Sequence, residues 1–182
     1  RFPLLIKVIH ARAPLSVQVH PDDRLARTMR LKDPGKTEAW YILRAAPGAW
    51  AVTGLKSARD LPRLRQLAAT GRIRERLRME PLHAGDALFC PAGAVHGNGP
   101  GCVFLEVQQN SDATFRFYDW DRPGLDGKPR PLHIEESARA VGSALKTVTR
   151  PKPRLLRDLP FPAERLVSCD KFVMDRWRVG VT

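Results

Sequence analysis

The chain is poor in cysteine: Cys90, Cys102 and Cys169 are its three among 182 residues. They are odd in number and lack any Cys-x-x-Cys spacing. A disulfide framework and a thiolate zinc site are both excluded, and small buried hydrophobes in a reducing cytoplasm are expected. Long apolar runs are missing too, with nothing near the roughly 20 residues that cross a bilayer. No charged leader with a cleavage site opens the sequence, so nothing in it signals export. Acid is scarce beside base, 19 Asp and Glu against 31 Lys and Arg, for a formal net charge of +12. The surplus is mostly arginine, densest between Arg59 and Arg78, where it reads as the solvated face of a helix. No aromatic-and-basic pattern of a nucleic-acid fold accompanies it, and an anionic small substrate uses positive charge equally well. Neither nucleic acid nor membrane is expected as a partner.

What is present is a globular composition, 43% hydrophobic and 27% charged. The length suits one ordinary domain with a substantial core, or one domain plus part of another. Short β-type runs fill the first half, at 4–9, 15–20, 39–43 and 49–53, separated by Pro and Gly turn signals. Residues 57–78 break the rhythm: Leu61, Leu64, Ala68, Ile73 and Leu77 fall at helical spacing, with Gly71 dividing two short helices. Strands return at 80–84, 87–90, 102–108 and 114–118. A polar loop follows at 119–131, then a helix over 133–144 with Ile134, Ala138 and Val141 on one face. Pro151, Pro153, Pro160 and Pro162 mark 149–163 as a linker, after which 164–182 read as the opening strands of a second β-unit. Both ends run directly into strand-like sequence, as an internal stretch of a longer protein would.

Four residues stand out: Gln18 and His20 in Leu15-Ser-Val-Gln-Val-His-Pro-Asp, Glu38 in Gly35-Lys-Thr-Glu-Ala-Trp-Tyr, and His96 in Pro91-Ala-Gly-Ala-Val-His-Gly. On a strand, Gln18 and His20 would face the same side. Imidazole plus carboxylate suits zinc and its neighbours, and the glutamine oxygen completes the shell.

These segments, with Phe2-Pro-Leu-Leu-Ile-Lys, the run from Gln108 to Trp120 (Gln-Gln-Asn-Ser-Asp-Ala-Thr-Phe-Arg-Phe-Tyr-Asp-Trp) and Leu132-His-Ile-Glu, form an ordered series. The series closely resembles the short bacterial form of type I mannose-6-phosphate isomerase, over nearly the whole chain. The resemblance implies a mainly β fold, a cupin or jelly roll with a short helical insertion. It also implies a catalytic domain over 1–148 lacking its N-terminal part, and a truncated second cupin-like unit whose first strands are 164–182. By position, Gln18, His20, Glu38 and His96 match the ligands of one zinc ion per chain. Arg116 matches the catalytic arginine, Lys36 and Asp112 match pocket residues, and Ser16 matches one associated with substrate binding. Two departures are visible: Gly35 stands where some relatives have histidine, and His96-Gly97-Asn98 replaces a more usual His-Ala-Ile.

The implied reaction interconverts mannose 6-phosphate and fructose 6-phosphate through an enediol or enediolate, with a hexose 6-phosphate as the small-molecule partner and the subunit count left open. Developing oxyanion charge must be stabilised where it forms. Zinc can do so as a Lewis acid, and the permanently cationic fork of Arg116 suits an enediolate or a phosphate. Lys36, two residues from Glu38, would enter the same pocket. Asp112 is expected either as general base or as a salt-bridge partner orienting Arg116, with Glu106 and a zinc-bound water as further bases. The competing readings are a non-catalytic metal cupin that senses a sugar phosphate, which would lack the arginine or the lysine, and a nucleic-acid-binding protein.

Overall fold

Alternation of apolar and polar residues builds the molecule from short antiparallel sheets. The computed structural model describes residues 2–124, 126–142 and 145–180. The first nine strands are β1 (Leu4–Ala11), β2 (Val17–Val19), β3 (Glu38–Ala45), β4 (Trp50–Leu55), β5 (Leu77–Pro81), β6 (Ala87–Cys90), β7 (Gly97–Asn98), β8 (Cys102–Gln109) and β9 (Phe115–Tyr118). They pair antiparallel as three sheets in the orders β1-β8-β3-β6, β5-β4-β7 and β2-β9. This is the mainly β, cupin-type architecture expected. The returning strand lies at β5, a few residues before the expected 80–84, because Leu77 buries against Leu55 and pulls the pairing forward.

Register decides what faces inward. Glu38 lies opposite both Gln108 and Cys90, Trp40 opposite Glu106 and Leu88, and Ile42 opposite Phe104. On the far side of β8, Lys7 faces Glu106 and Ile9 faces Phe104. Because side chains alternate with period two, these rows share the inner face. The row of Ile9, Phe104 and Ile42 joins Trp40, Ala51, Leu88 and Cys102 in an apolar core. The next rows bring in Lys7, Glu106, Gln108 and Glu38. The inner face therefore grades from hydrocarbon to charge along each strand.

The α-helices among the described residues are α1 (Asp23–Thr28), α2 (Leu64–Ala69) and α3 (Ile134–Val141). Helix α1 was not expected; Asp22 caps it by accepting the Leu25 amide at 2.7 Å. With 3₁₀ turns on either side, α2 occupies the expected helical insertion. Leu64, Leu67 and Ala68 of α2 and Val141 of α3 bury against Val17, Val19, Phe115 and Phe117, covering one face of the β2–β9 pair. Val17 and Val19 point to these helices, so Gln18 points the other way.

The C-terminal segment forms a small sheet of β10 (Arg154–Leu156), β11 (Ala163–Ser168) and β12 (Val173–Trp177). Leu166, Val167, Phe172 and Met174 cover Ala39, Ala87 and Val107 on the outer face of the main sheet. The stretch expected as a linker thus carries β10, which pairs with β11 despite the flanking prolines. Cys90 and Cys102 are buried and Cys169 is half-buried, all three as free thiols. Among the described residues no helix is long and apolar enough to cross a membrane.

Candidate metal centre

Three chain segments converge at the polar end of the inner face. His20 follows β2, Glu38 opens β3, and His96 leads into β7. The backbones of Gln18 and His96 exchange two hydrogen bonds, Gln18 N to His96 O at 2.8 Å and His96 N to Gln18 O at 2.9 Å. That bridge ties β2 to the turn before β7. A third segment is set by the loop 32–37, which packs on the Pro21–Asp23 turn through a Lys36 N to Pro21 O bond of 3.0 Å. Gln109 holds the same loop, accepting the Thr37 amide and donating to Asp23.

The potential ligand atoms of His20, Glu38 and His96 all lie within 4.8 Å of one another, and all three residues are buried. Glu38 Oε2 is 3.3 Å from His20 Nε2, and Oε1 is 3.4 Å from His96 Nε2. Each ring is fixed from behind: His20 Nδ1 faces Ala113 O at 3.0 Å, and His96 Nδ1 faces Ala94 O at 2.9 Å. A carbonyl only accepts, so both Nδ1 atoms carry protons and each Nε2 presents a lone pair inward. Burial, aided by Lys36, lowers the His20 pKa to about 3, and burial lowers that of His96 also. Both rings are neutral at pH 7. Their Nε2 atoms sit 3.1 Å apart beside a carboxylate, an arrangement of converging lone pairs that calls for a cation.

Lys36 supplies one positive charge. Its Nζ lies 2.9 Å from Glu38 Oε2 and 3.1 Å from His20 Nε2. Burial opposes ionisation of Glu38, but Lys36, His20 and His96 together outweigh it and hold the carboxyl well below the usual range. Trp40 Nε1 donates to Oε1 at 3.0 Å. Oε2 is buried and, despite its closeness to Lys36, lies outside hydrogen-bonding geometry among the described residues. An orphaned, ionised oxygen facing two imidazole lone pairs fits a divalent cation.

The other expected residues divide. Gln18 pairs across β2–β9 with Arg116, on the face of that pair away from the helices. Ser16 is buried beside the turn at Gly97. Arg116 donates through Nη1 to Pro131 O at 2.9 Å, and its amide donates to His133 Nδ1. Asp112 is exposed, its amide near Asp33, and makes no ion pair with Arg116 among the described residues. The sequence reading passed over Lys7 and Gln108. Lys7 Nζ donates to Glu106 at 2.9 Å and to Gln108 at 2.6 Å on the inner face beside Glu38. Only the β1–β8 register reveals them, since a lysine within an apolar strand otherwise reads as surface.

Strand order, inner-face grading and the buried His–Glu–His cluster define a cupin with a metal-type centre in its barrel. The model of the family "Phosphomannose isomerase type I, catalytic domain" matches residues 1–40. The chain is similar to the mannose-6-phosphate isomerase of Streptococcus mutans, at 38% identity over 179 residues, 98% of this chain and 55% of that protein. It is also similar to mannose-6-phosphate isomerase ManA of Bacillus subtilis, at 41% identity over 141 residues, 78% of this chain and 44% of that one. The crystal structure of the Bacillus subtilis mannose 6-phosphate isomerase superposes with a TM-score of 0.86 at 31% identity, covering 99% of this chain and 57% of that chain. These matches make the chain similar to the type I mannose-6-phosphate isomerases over nearly its whole length. It spans about half the length of the curated relatives it matches.

Proposed function

We propose that the protein is a zinc-dependent aldose–ketose isomerase of the cytoplasm, interconverting mannose 6-phosphate and fructose 6-phosphate. The observation that carries the reading is the buried His20–Glu38–His96 cluster with Lys36 at its edge. Gln18, His20, Glu38 and His96 would hold the ion, and two neutral imidazoles with oxygen donors suit zinc. When bound, zinc supplies Lewis acidity toward a sugar oxygen.

The remaining chemistry falls to side chains. Moving a proton between C2 and C1 of the open-chain sugar needs a base, and charge building on oxygen needs a fixed cation. Lys36 is a buried ammonium beside the cluster, able to donate to the oxygen that gains charge. Arg116, opposite Gln18, can hold an enediolate oxygen or the phosphate, with Ser16 nearby on the same segment as Gln18. Two carboxylates compete as base. Asp112 would have to turn in from solvent, whereas Glu106 already faces the interior on the row next to Glu38 and accepts from Lys7. Geometry favours Glu106.

A sugar-phosphate sensor would not need a buried ammonium on the carboxylate, and this chain keeps both Lys36 and Arg116. Metal analysis of the purified protein with a coupled isomerase assay tests the proposal. Glu38→Ala is expected to lose bound zinc and to lower kcat/KM by at least about a thousandfold, in line with losing a Lewis acid worth several kcal/mol. Turnover that survives the substitution or exhaustive chelation would sink it.

A further inference from the structure

Strand β9 has β2 on one side and no strand on the other among the described residues. Its ladder is also interrupted next to Arg116: Val17 faces Tyr118 and Gln18 faces Arg116, so the register skips Phe117. Such a skip bends a strand and re-aims the side chains beside it, so the ladder alone does not fix them. The backbone amide and carbonyl of Arg116 turn to the open edge, where His133 takes both. The His133 amide donates to Arg116 O at 2.8 Å, and the His133 ring Nδ1 accepts the Arg116 amide at 3.1 Å. Two residues earlier, Pro131 O accepts from Arg116 Nη1 at 2.9 Å. Residues 131–133 thus hold Arg116 by its amide, its carbonyl and its guanidinium.

The ring bond depends on protonation. A backbone amide only donates, so His133 must offer a lone pair at Nδ1 and carry its proton on Nε2. His20 and His96 hold the opposite tautomer, each with Nδ1 against a carbonyl. A second proton on His133 would set one donor against another and break the bond to Arg116. Imidazole is the side chain that ordinarily changes charge between pH 5 and 8.

Helix α3 sets where the ring stands. His133 directly precedes it, and the Ser137 amide donates to His133 O at 2.8 Å. Ile134 and Val141 of the helix pack among Val17, Phe115 and Phe117, which anchors its start beside β9. The ring is half-buried, its centroid 6.4 Å from that of Phe115, and it borders a cavity of about 450 Å³. Charged groups face it from each element around that cavity: Arg116 of β9, Glu136 of α3, Lys32 and Asp33 from the loop before β3, and Asp112 from the loop before β9. Two are cations and three are carboxylates, so no single fixed charge holds the ring in one state.

We propose that neutral His133 is a positioning residue for Arg116, closing the open edge of β9 through its ring Nδ1 and releasing it when the imidazole is protonated. The inference rests on the isomerase reading for the part that Arg116 plays in the reaction. A cation that stabilises developing charge works only where it stands fixed before the charge appears. Loss of the ring bond frees the strand at the arginine itself, so turnover should fall on the acid side with the neutral imidazole.

Nuclear magnetic resonance and a pH–rate profile test it together. Ring nitrogen shifts at pH 8 should show His133 proton-free at Nδ1 and protonated at Nε2. His133→Phe keeps a ring but no acceptor; it should speed hydrogen exchange of the Arg116 amide by about tenfold, the loss of one hydrogen bond. The same variant should lower kcat/KM by about tenfold to a hundredfold, the scale of a misplaced catalytic group. Asparagine offers an acceptor oxygen that does not titrate. His133→Asn should therefore recover most of both losses at pH 8 and stay active at lower pH than the wild type, whereas the exposed His10→Asn should keep the wild-type profile. Where His133→Phe melts early, the wild-type ring shifts and His133→Asn decide. A ring protonated at Nδ1, a folded His133→Phe with unchanged exchange and kcat/KM, or a His133→Asn acid limb that coincides with the wild type's overturns the proposal. The isomerase reading fails separately: a wild type without turnover at any pH, yet with Nδ1 proton-free and the Arg116 amide protected, removes the isomerase and supports the hold of His133 on Arg116.

Discussion

At Gly35 a Cβ atom would lie 2.4 Å from the Asp23 amide nitrogen and 2.5 Å from the Asp22 carbonyl carbon, closer than any side chain can sit beside backbone. The loop presses on the start of α1 at this point, and the Gly35 amide donates to Asp23 Oδ1 at 2.9 Å. No side chain, a histidine included, has room at this position in this backbone. Gly35→Ala should destabilise the protein by about 1–3 kcal/mol, as overpacking against backbone does, and should displace Lys36 from Glu38. Chemical denaturation measures the first effect and the KM–kcat split the second. A wild-type denaturation midpoint would show that the loop yields freely. At this scale the site was largely legible: Gln18, His20, Glu38 and His96 stood out by residue type and spacing. Lys7 and Gln108 did not, because their role depends on which strand lies beside β1. Asn98 shows the same limit. Its amide is buried with both polar atoms unpartnered among the described residues, and nothing in its sequence neighbourhood foretells that.

Elements were readable where their own periodicity set them and unreadable where a neighbour did. Strands β3, β6 and β8 match their apolar runs to within a few residues, since each buries one face against the core. Helix α1 was passed over because it is six residues long and buries only Ala26, although Asp22 is a capping residue in plain view. Strand β10 lies in a proline-rich stretch and exists because β11 offers it an edge. In the loop between β9 and α3, Arg122 and Arg130 both bind the Asp119 carboxylate. Burial alone would raise the pKa of Asp119, but the hydrogen bonds of Arg130 and Arg122 dominate and lower it from its ordinary 3.8. A depressed carboxylate stabilises the fold fully above its unfolded pKa, and that stabilisation is lost as pH falls through the folded one. Asp119→Asn should therefore cost about 1–2 kcal/mol at pH 7, a range reduced for the partly solvated arginines. The gap from wild type should close as pH drops below 3.8. Urea melts of both proteins at pH 7 and in the acid range read this out; a constant gap would mean that Asp119 acts through shape rather than charge.

For the whole molecule, the sequence disclosed a β-rich cupin but not how its sheets are joined. The C-terminal sheet covers only part of the outer face, burying Ala39, Ala87 and Val107, while Ile6 and Val8 of β1 stay 58% and 67% exposed. No periodicity marks which apolar face another segment will cover. The His–Glu–His cluster is itself a long-range staple, because His20, Glu38 and His96 come from three different sheets or their connections, with the His20 ring held by the distant Ala113 carbonyl and the His96 ring by the nearby Ala94 carbonyl. A cation bound to all three ties those sheets together, and none of the three segments presents that set when unfolded. Binding to the native state alone stabilises by about 2.7 kcal/mol when free ion reaches a hundred times its Kd. For a chain of this size that is a rise in Tm of about 5–10 °C. Chelation should lower the Tm by that amount, and restored zinc should return it. Glu38→Ala should abolish the response to metal, because its carboxylate is the only negative charge in the cluster and the two neutral imidazoles cannot offset a divalent ion without it. A variant that keeps the full zinc-dependent shift would place the binding site elsewhere in the molecule.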